Sequence, residues 1–228
     1  MPVALLSSLV PSTPQAFLHS FSADTGKLIL LSGGDDIFPL SHRVATELLH
    51  RSEPVVLVDG CNRFDIHAVI RSAQQWKANP DVFLSRIFIS RGFTCYQMEA
   101  TLTERLPAFL QKVNARFALI FGLLDTFYDE QAPMRDVQFI LRRVISALSQ
   151  MKERGVSLLL TSKEWNVLPK ERRRLFGDLN EAMDRVYRLR RTSQDSLQLF
   201  IEQRGIPART AEKGGPDGTH RTHVYQYS

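Results

Sequence analysis

The stretch "KLILLSGGDDIFPLSHRVATELL", residues 27–49, has the rhythm of a phosphate-binding unit: an apolar strand, a glycine turn, an amphipathic helix. A cradle of the form G-x-x-x-x-G-K-[ST] works through backbone N–H groups that hold phosphate, a lysine that neutralises it and a hydroxyl that holds Mg²⁺. Counted from Gly33, the last three of those positions are Phe38, Pro39 and Leu40. Asp35 and Asp36 add negative charge where phosphate would sit, and like charges within ~4–6 Å repel. Pro39 withdraws an N–H, although it suits the first turn of a helix. The turn has the shape of a cradle and none of its decisive side chains.

Three other strand ends carry polar chemistry. "VVLVDGCNRFD" (55–65) ends in Asp59 and Cys61. A thiol with an ordinary pKa of about 8.5 is a poor general base. As a nucleophile Cys61 would need a positioned histidine, and His67 is the nearest in sequence; the simpler reading is a small residue packed at a strand end. Asp125 follows "FALIFGLL" and reads as a loop-start cap before it reads as a catalytic carboxylate. Thr161, Ser162 and Lys163 end "VSLLLTSK".

Positive charge collects just beyond. Residues 163–191 hold nine Lys and Arg against five Asp and Glu. A basic loop with an aromatic suits single-stranded nucleic acid, because cations track phosphates and a ring offers a stacking face. The candidate contacts are Lys163, Trp165, Lys170, Arg172, Arg173, Arg174, Arg188 and Arg190. The competing reading is a solvated helix starting at "KERRR", with Leu175, Leu179, Ala182 and Met183 turned inward. His220 and His223 lack a third ligand and sit in a glycine-rich stretch, so no metal site is expected.

The elements that must position these residues alternate. Continuous apolar runs at 28–32, 55–59, 86–90, 117–124 and 156–162 read as strands covered on both faces. Helical spacing appears at 40–50, 66–77, 98–113 (with Pro107 a kink) and 135–154. Five β-α repeats predict an α/β fold, a mainly parallel sheet with helices on both faces. "RVYRLRR" (185–191) and "SLQLFIEQ" (196–203) then predict an antiparallel hairpin at a sheet edge, where charges on the first strand would blunt aggregation. One domain is expected over 1–203, with 1–26 a lead-in and 204–228 a loose tail whose "THVYQYS" has the pattern of an edge strand.

At 228 residues, 43% hydrophobic and 23% charged, the chain reads as one soluble globular domain. The net charge of +5 favours a polyanionic partner. Two distant cysteines point to a reducing, intracellular compartment. No apolar run approaches the ~18 residues of a spanning helix. The strand C-terminal ends around Asp59, Cys61, Ser90 and Arg91 are where a small-molecule enzyme of Rossmann or flavodoxin type would bind its ligand.

Taken in order, the segments from 26 to 203 resemble RecA-like ATPases, the recombinases and their paralogues. The resemblance lies in fold order rather than motif. It implies a lost Walker A at Phe38, Pro39 and Leu40. It puts Cys61 where the strand-end glutamate that activates water would stand. It puts Gly122 at the Walker B aspartate, with Asp125 the alternative if the register differs. Thr161, Ser162 and Lys163 take the switch position that leads into a DNA-binding loop. With the Walker A, glutamate and Walker B positions vacant, the resemblance implies a pseudo-ATPase with no catalytic residues, no bound nucleotide and no cofactor. Its expected role is a scaffold in recombination or repair, paired with another RecA-like subunit and holding single-stranded DNA. A protein-interaction subunit without nucleic acid is the alternative.

Overall fold

The computed structural model describes residues 8–23, 25–163, 170–192 and 196–203. The strands are β1 (Ser8–Ser12), β2 (Leu28–Gly33), β3 (Val55–Asp59), β4 (Ile87–Arg91), β5 (Phe117–Phe121), β6 (Ser157–Lys163), β7 (Arg185–Arg191) and β8 (Leu197–Gln203). They form one sheet in the order β1-β8-β7-β2-β6-β5-β3-β4. From β7 through to β4 all neighbours are parallel, and β8 is antiparallel to both β7 and β1. The expected α/β class, mainly parallel with an antiparallel portion, is the observed one.

The strands bury both faces, and alternate side chains feed two cores. Leu28, Leu30, Val56, Val58, Ala118 and Ile120 point to one side, beneath α5 (Cys95–Ala100), α6 (Leu106–Lys112), α7 (Met134–Glu153) and α8 (Arg174–Glu181). Ile29, Leu31, Leu57, Leu119, Phe121 and Tyr187 point to the other. There they meet α1 (Pro14–Ala23), α2 (Ile37–His50), α3 (Ile66–Gln75) and α4 (Pro80–Leu84).

Local sequence sets the helix starts. Asp65 and Asn79 accept from the N–H two residues on, and Thr94 from the N–H three residues on. Pro80 occupies the first turn of α4, where a missing N–H costs nothing. The kink expected at Pro107 is present in another form. Thr101–Arg105 is a single wide π-helical turn between α5 and α6. The carbonyl that the Pro107 ring would strike in a regular helix, that of Thr103, lies inside that turn.

Two expectations are corrected. "RVYRLRR" is not an edge strand: β7 lies between β2 and β8, with Val186, Tyr187 and Leu189 buried. Its charged residues are the remaining positions of the strand and the exposed end. Residues 8–23 are not a mere lead-in. β1 closes the sheet against β8, and α1 sends Phe17 and Phe21 fully into the core, against Tyr187 and Phe117. Pro11 sits in β1, a placement open to proline because that strand is an edge. The tail 204–228, with "THVYQYS", His220 and His223, lies outside the described residues.

This burial predicts that Phe21→Ala costs about 3–5 kcal/mol, the usual range for emptying a large aromatic site. A urea midpoint that stays at the wild-type value would return residues 8–23 to the status of a dispensable lead-in.

Candidate functional site

β2, β6, β5 and β3 are consecutive neighbours in the sheet and run the same way. Their C-terminal ends therefore line up along one edge of the molecule. The glycine turn after Ser32, the Asp59–Cys61 turn, Gly122 with Asp125, and Thr161–Lys163 meet there. These are the four sites that sequence order singled out.

The turn after β3 is built around Asp59, which is fully buried. Its carboxylate accepts from the backbone N–H of Cys61 (3.2 Å), Arg63 (3.2 Å) and Phe64 (3.0 Å). The Cys61 Sγ–H also donates to it at 3.6 Å. With its oxygens so engaged, Asp59 shapes a loop. Burial pushes the half-buried Cys61 thiol well up, and the Asp59 carboxylate pushes it further. The group stays a protonated thiol, neither nucleophile nor base.

Phe64, held by Asp59, packs on His42, whose ring also meets Phe121 edge-on at 5.6 Å. His42 Nε2 accepts from the Asp65 N–H at 2.9 Å. Burial keeps this imidazole neutral by lowering its pKa. No sequence signal pointed to His42. Its position one helical turn after Phe38 is only a core spacing, and His67 instead uses its backbone N–H to bond the Asp65 cap.

Gly122 has φ +60 and donates its N–H to the Thr161 hydroxyl oxygen at 3.1 Å. Its carbonyl accepts from the Asp125 N–H. A Cβ built here would stand 2.6 Å from Cys61 Sγ, well inside contact distance. The left-handed backbone and this close approach both require glycine. An aspartate cannot replace it unless the Cys61 loop moves. Asp125 stands on the short 3₁₀ turn Leu123–Thr126, with Oδ1 buried and unpartnered among the described residues. Burial pushes its pKa up to about 6, with Lys163 and Arg63 pulling it back and Asp35 and Asp59 pushing it further.

The glycine turn itself is closed by charge. Lys163 Nζ lies 2.7 Å from Asp35 Oδ1, and Arg63 lies 3.9 Å from the same atom. The Lys163 hydrogen bond holds the Asp35 carboxyl below its ordinary pKa. Arg191 forks onto Asp36, with Nη2 2.7 Å and Nε 3.3 Å from its two oxygens. Phe38 and Leu40 are buried in the core, and Phe38 lies against Phe121.

Among its described residues, the basic segment does not form one cationic surface. Arg172 is 4% exposed and its guanidinium donates inward, to the carbonyls of Phe127 (2.6 Å) and Ala132 (2.5 Å). Arg172 therefore leaves the set of candidate DNA contacts; it clamps the loop ahead of α7. Arg188 is paired with Glu202 at 3.0 Å and lies over the Phe176 ring. Lys163 is turned to Asp35. Lys170, Arg173, Arg174 and Arg190 are exposed. Trp165 lies outside the described residues. Ser90 and Arg91 end the edge strand β4, with Arg91 exposed. Among the described residues no group of three His, Cys, Asp or Glu is placed to hold a metal ion, and no helix is long and apolar enough to cross a membrane.

Comparison of the sequence with protein-family models and with curated proteins finds no match.

Asp125 is expected to penalise folding at neutral pH. Its carboxyl is near pKa 6 when folded against 3.8 in the unfolded chain, so the folded state holds a proton the unfolded state has lost between those values. Stability falls as pH rises through that window, and the cost is complete above it. Asp125→Asn should then stabilise by about 1–2 kcal/mol at pH 7.5, after discounting for partial solvent screening. The gain should vanish by pH 4, as read from denaturation midpoints at the two pH values. A gain independent of pH would reject the assignment. Arg172→Ala should cost about 2–4 kcal/mol by stranding two buried carbonyls. Arg174→Ala, at an exposed position, should stay within about 0.5 kcal/mol of wild type.

Proposed function

We propose that this chain is a catalytically inactive RecA-like paralogue, an intracellular accessory subunit that supports a partner subunit in DNA recombination or repair without turning over ATP. The observation that carries this reading is the alignment of four strand ends on adjacent parallel strands, three of which lack the side chain that nucleotide chemistry would use. Phe38 and Leu40 are core residues, Cys61 is a protonated thiol, and Gly122 is sterically fixed as glycine. The buried Phe38, packed on Phe121, also counts against a small-molecule pocket between these strand ends. A carboxylate base, a phosphate lysine and a metal hydroxyl are missing together, which fits a frame kept for its shape.

Contact with single-stranded DNA, in this reading, falls to Lys170, Arg173, Arg174 and Arg190. Four exposed cations give weak, salt-sensitive binding rather than a recombinase-like grip. The alternative, a protein-interaction subunit with no nucleic-acid role, draws support from a specific surface. Phe93, Tyr96 and Phe139 are 67%, 49% and 60% exposed, and large exposed aromatics are enriched at protein interfaces. The neighbouring edge strand β4 has Ile89 at 40% exposure.

Titration with Mg²⁺–ATP and with a labelled oligonucleotide separates these readings. The expected outcome is no ATP binding in the micromolar range and oligonucleotide binding that weakens with salt. Replacing Lys170, Arg173, Arg174 and Arg190 by Ala should flatten the salt slope by roughly 0.7 for each phosphate no longer neutralised. Micromolar ATP affinity would remove the pseudo-ATPase reading. Failure to bind the oligonucleotide at low salt would leave the protein-interaction role.

A further inference from the structure

The two aspartates of the glycine turn are not merely wrong-signed residues. β2 lies between β7 and β6 in the sheet, and its turn sends one carboxylate to each neighbour. Asp35 reaches the end of β6, where Lys163 pairs in register with Gly33, and Asp36 reaches Arg191 at the end of β7. Arg63 approaches Asp35 from the loop after β3. The asymmetry of exposure is informative. The Lys163 side chain is 15% exposed, while the Asp35 side chain that covers it is 66% exposed. A largely enclosed ammonium is capped from the solvent side by an exposed acid. At Asp36, Arg191 makes the two-pronged contact that a guanidinium makes equally well with a phosphate. Beside them Gly34 leaves open space, with nothing within 4 Å of where a Cβ would stand.

We propose that Lys163, Arg63 and Arg191 form the intact cationic half of a phosphate-class anion site, and that Asp35 and Asp36 fill it as built-in counter-anions. This deepens the pseudo-ATPase reading and rests on it. The turn carries its own two negative charges, so two of the three cations are offset without a ligand, and the frame holds one charge state whether or not nucleotide is present. A subunit built this way is a constitutive scaffold. Nucleotide neither loads it nor releases it.

The test is to empty the site. Inorganic pyrophosphate is titrated at low salt into the unaltered chain, Asp35→Asn, Asp36→Asn, the double variant, and the double variant carrying Lys163→Gln. Thermal melts establish that each is folded, and the single variants remain informative where the double one is not. The unaltered chain should bind weakly. The double variant should bind about tenfold tighter or more, with affinity that falls as salt rises. Lys163→Gln should cancel that gain. A double variant no tighter than the unaltered chain, or a gain that survives Lys163→Gln, overturns the inference and leaves the pseudo-ATPase reading standing. Tight binding of both pyrophosphate and ATP by the unaltered chain overturns both.

Discussion

One buried carboxylate organises the edge of the sheet where the loops meet. Asp59 has no exposed surface, and three successive stretches of the following turn donate to it: the N–H groups of Cys61, Arg63 and Phe64. A buried charge is tolerated only when it is hydrogen-bonded on this scale. The consequence is geometric. The curl around Asp59 brings Cys61 against Gly122, aims Arg63 at Asp35, and seats Phe64 on His42. Those contacts come from different elements, so removing the Asp59 cage would loosen the ends of β2, β3 and β5 and the packing of α2 at once. The neutral thiol of Cys61 and the neutral ring of His42 follow from the same crowded, partly desolvated corner.

That corner pairs its charges internally. Asp35 meets Lys163 and Arg63, Asp36 meets Arg191, and Asp59 is saturated by backbone donors. Only the Asp125 carboxyl is left poorly matched, with one oxygen buried and unpartnered among the described residues. A site that catalyses proton transfer also contains a poised carboxyl, but it needs an accessible partner acid, base or nucleophile beside it. The groups whose charge couples to it here are the protonated Cys61 thiol, the Tyr128 phenol, whose pKa burial raises, and Lys163, already turned to a carboxylate. The mismatch at Asp125 therefore reads as a local stability cost.

The sequence made the frame legible because its strands are nearly pure apolar runs. β3 and β7 fall on the residues that pattern picks out, and β2, β4, β6 and β8 fall within one residue of it. The run at 117–124 breaks early, since Gly122 turns left-handed where hydropathy continues through Leu123 and Leu124. α1 and β1 were illegible: Pro11 and Pro14 look like breakers, yet one sits on an edge strand and the other starts a helix. The antiparallel hairpin was read correctly and its place was not. Charge on "RVYRLRR" looked like edge protection, whereas Arg188 and Arg185 find partners in Glu202 and Ser20 within the fold. The same limit applies to Arg172. Nothing in "KERRR" distinguishes the arginine that enters the interior from its exposed neighbours, because the difference is made by two carbonyls some forty residues earlier in the chain.

Where charge is placed matters more to function than its total. A net charge of +5 with a run of arginines invites a nucleic-acid partner, yet several of those cations are committed to the loop clamp, to the β7–β8 pair and to the glycine turn. The sheet's two edges differ in the same practical way. The β1 edge carries Pro11, which cannot donate to an added strand. The β4 edge is free of proline, half exposed, and flanked by the aromatic side chains Phe93 and Tyr96. An accessory subunit needs a directional surface more than a strongly charged one, since edge pairing and aromatic burial give orientation and lasting contact that screened surface charge does not. Under the proposed accessory role, the β4 side is the surface that suits a partner subunit, and the exposed cations would only tune how near a polyanion comes.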